Sequence, residues 1–341
     1  MMCFKMLILN VSISLGILFL SLHSNAQLRW QLADAEFAPL PKNFHVFKST
    51  DSLDGKPFLA YYAIADLKDK KLQFTTDTTY KRRLTPAQFY QKNNQPLLVV
   101  NSTFFSFASN QNLNIVIREG KLISYNVHSI AQRGADTLMY KHPFASAIGI
   151  SKKRKADVAW TFTDSLTKRF YALQNVQVPI EDSVSLLSFE KAKLYSAETL
   201  KAGFLGIKKY KLLLKKWKVQ TAVGGGPVLV QNGRVKITNN EELKFSGNAI
   251  NDKHPRTLMG YTKDDKIIVM VVEGRNPGVA EGVSLVQAAK LMADLGCVEA
   301  LNLDGGGSSS MLINGKETIK PSDKGLQRPV PAVFIINQKS K

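Results

Sequence analysis

The sequence predicts an α+β fold, a mixed sheet in a single large domain with a C-terminal βαβ unit. Three observations in the last third of the 341-residue chain carry that expectation. Ile267 to Val272 are consecutive apolar residues, as in a strand covered on both faces. Ser284 and Gln287 have capping-box spacing, and Leu285, Ala288, Ala289, Met292 and Leu295 form one helical stripe that Gly296 ends. Val298 to Leu303 then reads as a second buried strand. Strand, helix, strand in this order predicts parallel strands joined by a right-handed crossover, with both carboxyl ends at one sheet edge.

Earlier elements follow from local chemistry. Met6 to Leu20 is apolar behind Lys5, and Ser24-Asn25-Ala26 is a small-residue cleavage site, so residues 1–26 read as a secretory signal peptide. Export (to periplasm, cell envelope or medium) is expected, with no transmembrane segment after signal removal. Residues 27–95 form an N-terminal extension with the first strands, including Leu59 to Ala65, and 96–338 form the main domain. Thr85-Pro86-Ala87-Gln88 is a capped helix start that Asn93-Asn94 terminates. Leu97 to Val100 is a short buried strand delivering Asn101. Glu119-Gly120 and Asn232-Gly233 mark hairpin turns between apolar runs. Ala145–Ile150 and Val158–Phe162 predict two strands around the basic turn Lys152-Lys153-Arg154-Lys155. Gly224-Gly225-Gly226-Pro227 admits either a ligand or a tight chain crossing. Residues 163–215 carry polar turns and lysine-rich faces of helices, and Ala332 to Ile336 closes the chain as a strand.

The net charge is +19, which suits anionic envelope glycans or a membrane surface. Nucleic acid is not expected as the partner of an exported chain. Removal of the signal takes Cys3 with it, so Cys297 is alone, and its place before an apolar strand predicts a buried structural thiol. The five histidines are scattered without zinc spacing. No cofactor is required by the sequence. A calcium or magnesium ion on Asp304 and nearby carbonyls stays open, so the metal assignment is unknown. Gly306-Gly307-Ser308-Ser309-Ser310 lacks the second glycine of a nucleophile elbow, which argues against a serine hydrolase.

The densest chemistry lies in Leu303-Asp304-Gly305-Gly306-Gly307-Ser308. A strand ends in a carboxylate, three glycines permit close approach and a nest of N–H groups, and hydroxyls follow. Glu273 closes the other strand of the βαβ unit with Arg275 beside it. Strand spacings of about 4.8 Å for neighbours and about 10 Å for next neighbours put two acids within reach of one substrate. Arg328 is a candidate for bidentate anion contact.

Asn101 to Phe105, Gly224 to Pro227, His254-Pro255-Arg256-Thr257, Glu273-Gly274-Arg275, Asn302 to Ser309 and Arg328 together resemble the phosphodiester glycosidase family over roughly residues 96–336. Two motifs depart from the family pattern. Asn101-Ser102-Thr103-Phe104-Phe105 replaces Asn-Gly-Gly-Phe/Tyr-Phe, and Glu273-Gly274-Arg275 replaces Asp-Gly-Arg. The resemblance implies an α+β hydrolase that cleaves the glycosyl–phosphate bond of a GlcNAc-type sugar-1-phosphodiester. On that reading Arg256, Arg275, Arg328 and the N–H groups of Gly305, Gly306 and Gly307, with Ser308 nearby, hold the phosphate. Asp304 and Glu273 act on the sugar, Asn101 orients a hydroxyl, and His254 serves as an acid or as a structural cap. The alternative from the same residues is a non-catalytic envelope module that binds anionic glycans.

Overall fold

The computed structural model describes residues 28–201 and 208–339. The signal-peptide expectation for residues 1–26 lies outside the described residues. The fold is mostly β, built on three sheets. The largest runs, in spatial order, Gln31–Leu32, Phe44–Ser49, Ala60–Asp66, Lys266–Val272, Arg256–Thr262, Cys297–Asn302, Val228–Gln231 and Arg234–Val235. A second joins Ala145–Ile150, Ala156–Asp164, Thr221–Gly224 and the hairpin Val116–Arg118/Lys121–Ser124, among others. A third contains Met311–Ile313, Leu98–Asn101, Ala332–Gln338 and Leu72–Thr78.

Side-chain alternation explains the apolar run at 266–272. Ile267, Val269 and Val271 enter a core shared by all three sheets, with Met259, Leu301, Ile148, Trp160, Leu98 and Phe334. Ile268, Met270 and Val272 face the opposite way, onto Leu285, Ala288, Ala289 and Met292 of the helix Leu285–Asp294. The helix is fixed at its start by the expected box. Ser284 Oγ accepts from Gln287 N, and Gln287 Oε1 accepts from Ser284 N. Gly296 follows at φ 79°, a left-handed position that glycine adopts without penalty. Thr85 and Gln88 make the same reciprocal cap on Pro86–Lys92.

The sheet is not mixed as expected. Every strand pairing among the described residues is antiparallel, and Lys266–Val272 does not pair with Cys297–Asn302. Arg256–Thr262 lies between them and pairs with each, Arg256 opposite Val272 and Leu258 opposite Asn302. The helical crossover therefore skips one strand position, and a hairpin strand contributed by the preceding segment fills it. Two antiparallel steps still orient the outer strands alike, so the segments after Val272 and Asn302 leave at the edge where Arg256 begins. The N-terminal strands belong to the same sheets, with Ala60–Asp66 beside Lys266–Val272 and Leu72–Thr78 beside Ala332–Gln338.

The basic turn at 152–155 is partly spent on structure. Arg154 reaches the carbonyls of Leu67, Asp69 and Leu72, and Lys155 pairs with Asp265 at 2.5 Å. Cys297 is buried, and burial pushes its thiol up to about 12. No helix among the described residues is long and apolar enough to cross a membrane.

Candidate active site

Three chain segments meet where the strand Cys297–Asn302 ends. Asp304 N donates to Ser102 O at 2.8 Å and Leu303 N to Thr257 O at 2.8 Å, which hold the turn between two neighbouring segments. Asn101 secures the junction from beneath. Its Nδ2 donates to Asp304 O at 2.6 Å, and its Oδ1 accepts from Thr257 Oγ1 at 2.8 Å and Ser310 N at 3.1 Å. Asn101 is fully buried, and all of these bonds are internal to the fold.

The glycines serve close contacts. A Cβ at Gly307 would fall 2.1 Å from Arg328 Nη2, and one at Gly305 would fall 2.9 Å from Pro255 O. Gly306 takes φ 60°, and the Arg275 guanidinium sits against it. The expected cradle of three N–H groups is reduced, because Gly306 N donates to Pro255 O at 2.8 Å. Gly225 explains the other triple glycine as a tight crossing. A Cβ there would lie 2.4 Å from Asn302 O, directly under the site strand.

These contacts shape an open cleft of about 240 Å³, lined by Phe104, Phe245, Ala249, His254, Arg256, Arg275, Asp304, Gly305, Gly306, Gly307 and Arg328. Arg256 is buried, with Nε on Val283 O and Nη2 on Asp252 O, each at 3.2 Å. Burial and then Arg275 bring its guanidinium down to about 10. Arg275 is exposed and takes the left-handed conformation, φ 59°, which is uncommon away from glycine and costs about 1–3 kcal/mol. Its Nη2 lies 3.4 Å from His254 Nδ1. Burial, Arg256 and Arg275 all lower the pKa of His254, which favours the neutral ring. Arg328 donates to Asp323 Oδ2 at 2.9 Å. Among the described residues neither Arg256 nor Arg275 has a carboxylate partner, so the cleft carries excess positive charge.

Asp304 is the acid in this cleft. Its Oδ2 is closed from solvent and has no hydrogen-bond partner, and the same holds for Ser308 Oγ. Burial raises its pKa to about 7, and the Ser308 hydroxyl (near but outside hydrogen-bond geometry), the Arg328 charge and the Gly305 N–H oppose it only in part. A carboxyl group in that range can hold or release a proton near neutral pH.

Glu273 does not line the cleft. It is buried, its Oε1 accepts from Asn276 Nδ2 at 3.0 Å, and its Oε2 accepts from Lys320 N at 2.9 Å. Both oxygens are turned toward the 276 and 320 loops. Asn101 and Ser308 are likewise beside the cleft rather than among its lining residues. Of the candidate residues, Asp304, His254, the three arginines and the three glycines converge. Among the described residues no group of three or more His, Cys, Asp or Glu side chains is placed to hold a metal ion.

Two lining residues had no signal in sequence. Phe245 follows the short helix Asn239–Glu242, which Leu243 ends at φ 51°. Its ring is 6.1 Å from that of Phe104 at 71°, and the Arg256 guanidinium lies 5.5 Å from it. Ala249 belongs to the next turn. Glu242 locks this segment by accepting from Ser146, Trp160, Val228 and Thr238. Nothing in the local pattern of residues 239–250 announces these tertiary contacts.

The cleft thus brings together one carboxyl group, three guanidiniums and two aromatic rings. The family model for phosphodiester glycosidases matches residues 180–337, so that segment carries a domain of the family and the resemblance is borne out. Over 103 residues, 28% of this chain, it is 29% identical to the N-acetylglucosamine-1-phosphodiester alpha-N-acetylglucosaminidase of cattle and spans 19% of that protein. Over 88 residues, 26% of this chain, it is 36% identical to the SPbeta prophage-derived uncharacterized protein YomE of Bacillus subtilis, spanning 13% of it. The chain thus matches less than a fifth of the length of either relative. The zebrafish N-acetylglucosamine-1-phosphodiester alpha-N-acetylglucosaminidase catalytic domain, auto-inhibited by its pro-peptide, shares the fold. Its TM-score is 0.55 at 19% identity, covering 91% of this chain and 88% of that one. A hypothetical protein from Synechocystis has a TM-score of 0.56 at 15% identity, covering 92% and 68%.

Proposed function

We propose that this protein is an exported hydrolase that cleaves the glycosyl–phosphate bond of a GlcNAc-type sugar-1-phosphodiester, releasing the sugar and leaving a phosphomonoester. The convergence of Asp304 with Arg256, Arg275 and Arg328 in one cleft is the observation that carries the reading. Cleavage at the anomeric carbon develops positive charge on the sugar and negative charge on the departing phosphate. The guanidiniums neutralise the second without proton transfer, and two of them have no carboxylate of their own to compete. Phe104 and Phe245 offer apolar faces to the sugar ring.

Asp304 then acts on the sugar side, as the base that activates water or as the nucleophile, and its ionised form is the competent one. Glu273 is best read as a support for the 276 and 320 loops, which leaves one carboxylate rather than two at the reacting centre. Neutral His254 holds Arg275 in place over Gly306. This differs from a glycosidase with paired carboxylates because the phosphate departs without an acid.

The test is turnover of chromogenic GlcNAc-1-phosphodiesters by the purified protein beside Asp304→Asn and Arg256→Ala. Loss of about 10²–10⁴-fold in kcat for the first, and about 10²-fold or more for the second, with unchanged circular dichroism, is expected. Absence of turnover together with salt-sensitive retention of anionic glycans would instead establish the binding module.

A further inference from the structure

Beyond Arg328 the surface continues in the same chemical vein. Phe107 is 62% exposed, yet it lies between two guanidiniums, Arg328 at 5.5 Å and Arg83 at 5.1 Å from its ring centroid. Arg83 also covers Phe105 at 5.3 Å, and the two rings are 4.8 Å apart. Among the described residues Arg83 makes no ion pair, so its charge is uncompensated. Phe107 is thus a large exposed ring flanked by one guanidinium held by Asp323, that of Arg328, and one without an ion pair, that of Arg83.

The loop that presents Phe107 leads to a second cleft. Phe105 bridges Asn112, Ser106 N donates to Gln111 O at 2.9 Å, and Thr103 Oγ1 donates to Asn112 Oδ1. Gln111 and Asn112 then line an open cleft of about 530 Å³ with Tyr80, Lys81, Ser124 and Tyr125. Tyr80 is 77% exposed, with Lys81 Nζ 5.3 Å from its ring. No carboxylate lines this cleft. Aromatic faces, amides, hydroxyls and a lone ammonium are the groups that bind sugar rings bearing negative charge.

We propose that the substrate's second arm, beyond the phosphate, is an anionic glycan chain that runs over Phe107 and Arg83 into the cleft of Tyr80, Lys81 and Tyr125. This inference rests on the proposed hydrolysis and names the substrate class. Arg328 is the junction, touching the phosphate on one side and the Phe107 platform on the other. The hydrolysed sugar is then the end unit of a longer charged polymer, and the phosphomonoester product stays on the protein until that arm dissociates.

The experiment compares GlcNAc-1-phosphodiesters whose second arm is methyl, a neutral maltooligosaccharide or an anionic oligogalacturonate. The anionic arm is expected to raise kcat/KM about tenfold over the neutral arm at low salt, and the surplus to vanish in high salt. Arg83→Ala, Lys81→Gln and Tyr125→Ala are each expected to lower the ratio of anionic-arm to methyl-arm kcat/KM by about three- to tenfold. Equal values for the three arms, equal values for the neutral and anionic arms, or ratios unchanged in all three variants would overturn the proposal. Fluorescence anisotropy of a labelled oligogalacturonate that lacks the GlcNAc-phosphate head separates the two readings. Should no diester turn over while Lys81→Gln and Tyr125→Ala weaken this binding, the track stands and the glycosidase reading falls. Binding unaffected by these variants would overturn the track itself.

Discussion

In the Asp304→Asn variant the cleft keeps its shape and loses one titratable group. Asp304 is an acid whose pKa is raised on folding, from 3.8 to about 7, because Oδ2 is sealed from water without a partner. The protonated form is the one the fold tolerates. Its contribution to stability is complete below the unfolded pKa and is lost as pH rises through the folded value. A shift of this size, at about 1.36 kcal/mol per unit, sets an upper bound of about 4 kcal/mol above pH 7. The residue as a whole is half-buried rather than fully enclosed, so a figure of about 2–4 kcal/mol is expected. An amide has no proton to lose, so the variant escapes this penalty. Thermal denaturation should give variant and parent similar Tm values at pH 4, with a gap that opens toward pH 7 and reaches about 4–8 °C at pH 8. Turnover should fall by about 10²–10⁴-fold in the same variant. A Tm difference that does not change with pH, or a variant less stable than the parent at pH 8, would refute the account of Asp304 as a destabilised, sealed acid.

Other variants probe the surrounding structure. Glu273→Gln places an amide N–H against either Lys320 N or Asn276 Nδ2, so about 1–3 kcal/mol of stability should be lost by urea titration. Its kcat should stay within about tenfold of the parent if the residue only supports the loops, and a loss as deep as that of Asp304→Asn would return it to the catalytic group. Gly307→Ala puts a methyl group on the Arg328 guanidinium, whose flexible end can move, so steady-state kinetics should show a KM raised about tenfold with little change in Tm. Gly226→Ala meets Glu242 Oε2 at 2.3 Å at a φ of 118°, and denaturant titration should show a loss of about 2–4 kcal/mol. The pH profile of kcat/KM should rise toward a limb near pH 7 as Asp304 ionises, and Asp304→Asn should lack that limb.

Much of this molecule is written in local pattern. The two capping boxes, the turns at 119–120 and 232–233 with both residues at positive φ, and the double-faced strand 266–272 each depend on neighbours in sequence. The motif residues Asp304, Arg256, Arg275 and Arg328 were legible for the same reason. The first three sit at a strand end or beside a glycine, and Arg328 stands in the irregular segment before the closing strand. What escaped depends on distant pairing. The placement of Arg256–Thr262 between the strands of the expected βαβ unit is decided by register with both neighbours and by the core they share. Glu273 carries the same charge as an acid in the cleft would, but its carboxylate turns to a backbone N–H at residue 320. Phe245 gains its role through Phe104, which lies far from it in the chain, and through Arg256 on the strand that follows.

In the proposed reaction the bond broken lies between the anomeric carbon and the phosphate oxygen. Hydrolysis of a GlcNAc-1-phosphodiester in 18O-labelled water, followed by mass spectrometry of both products, tests it directly. The label is expected to enter the anomeric hydroxyl of released GlcNAc, with none in the phosphomonoester. Label in the phosphate would contradict it, because attack would then occur at phosphorus and the arginine-lined cleft would belong to a phosphodiesterase.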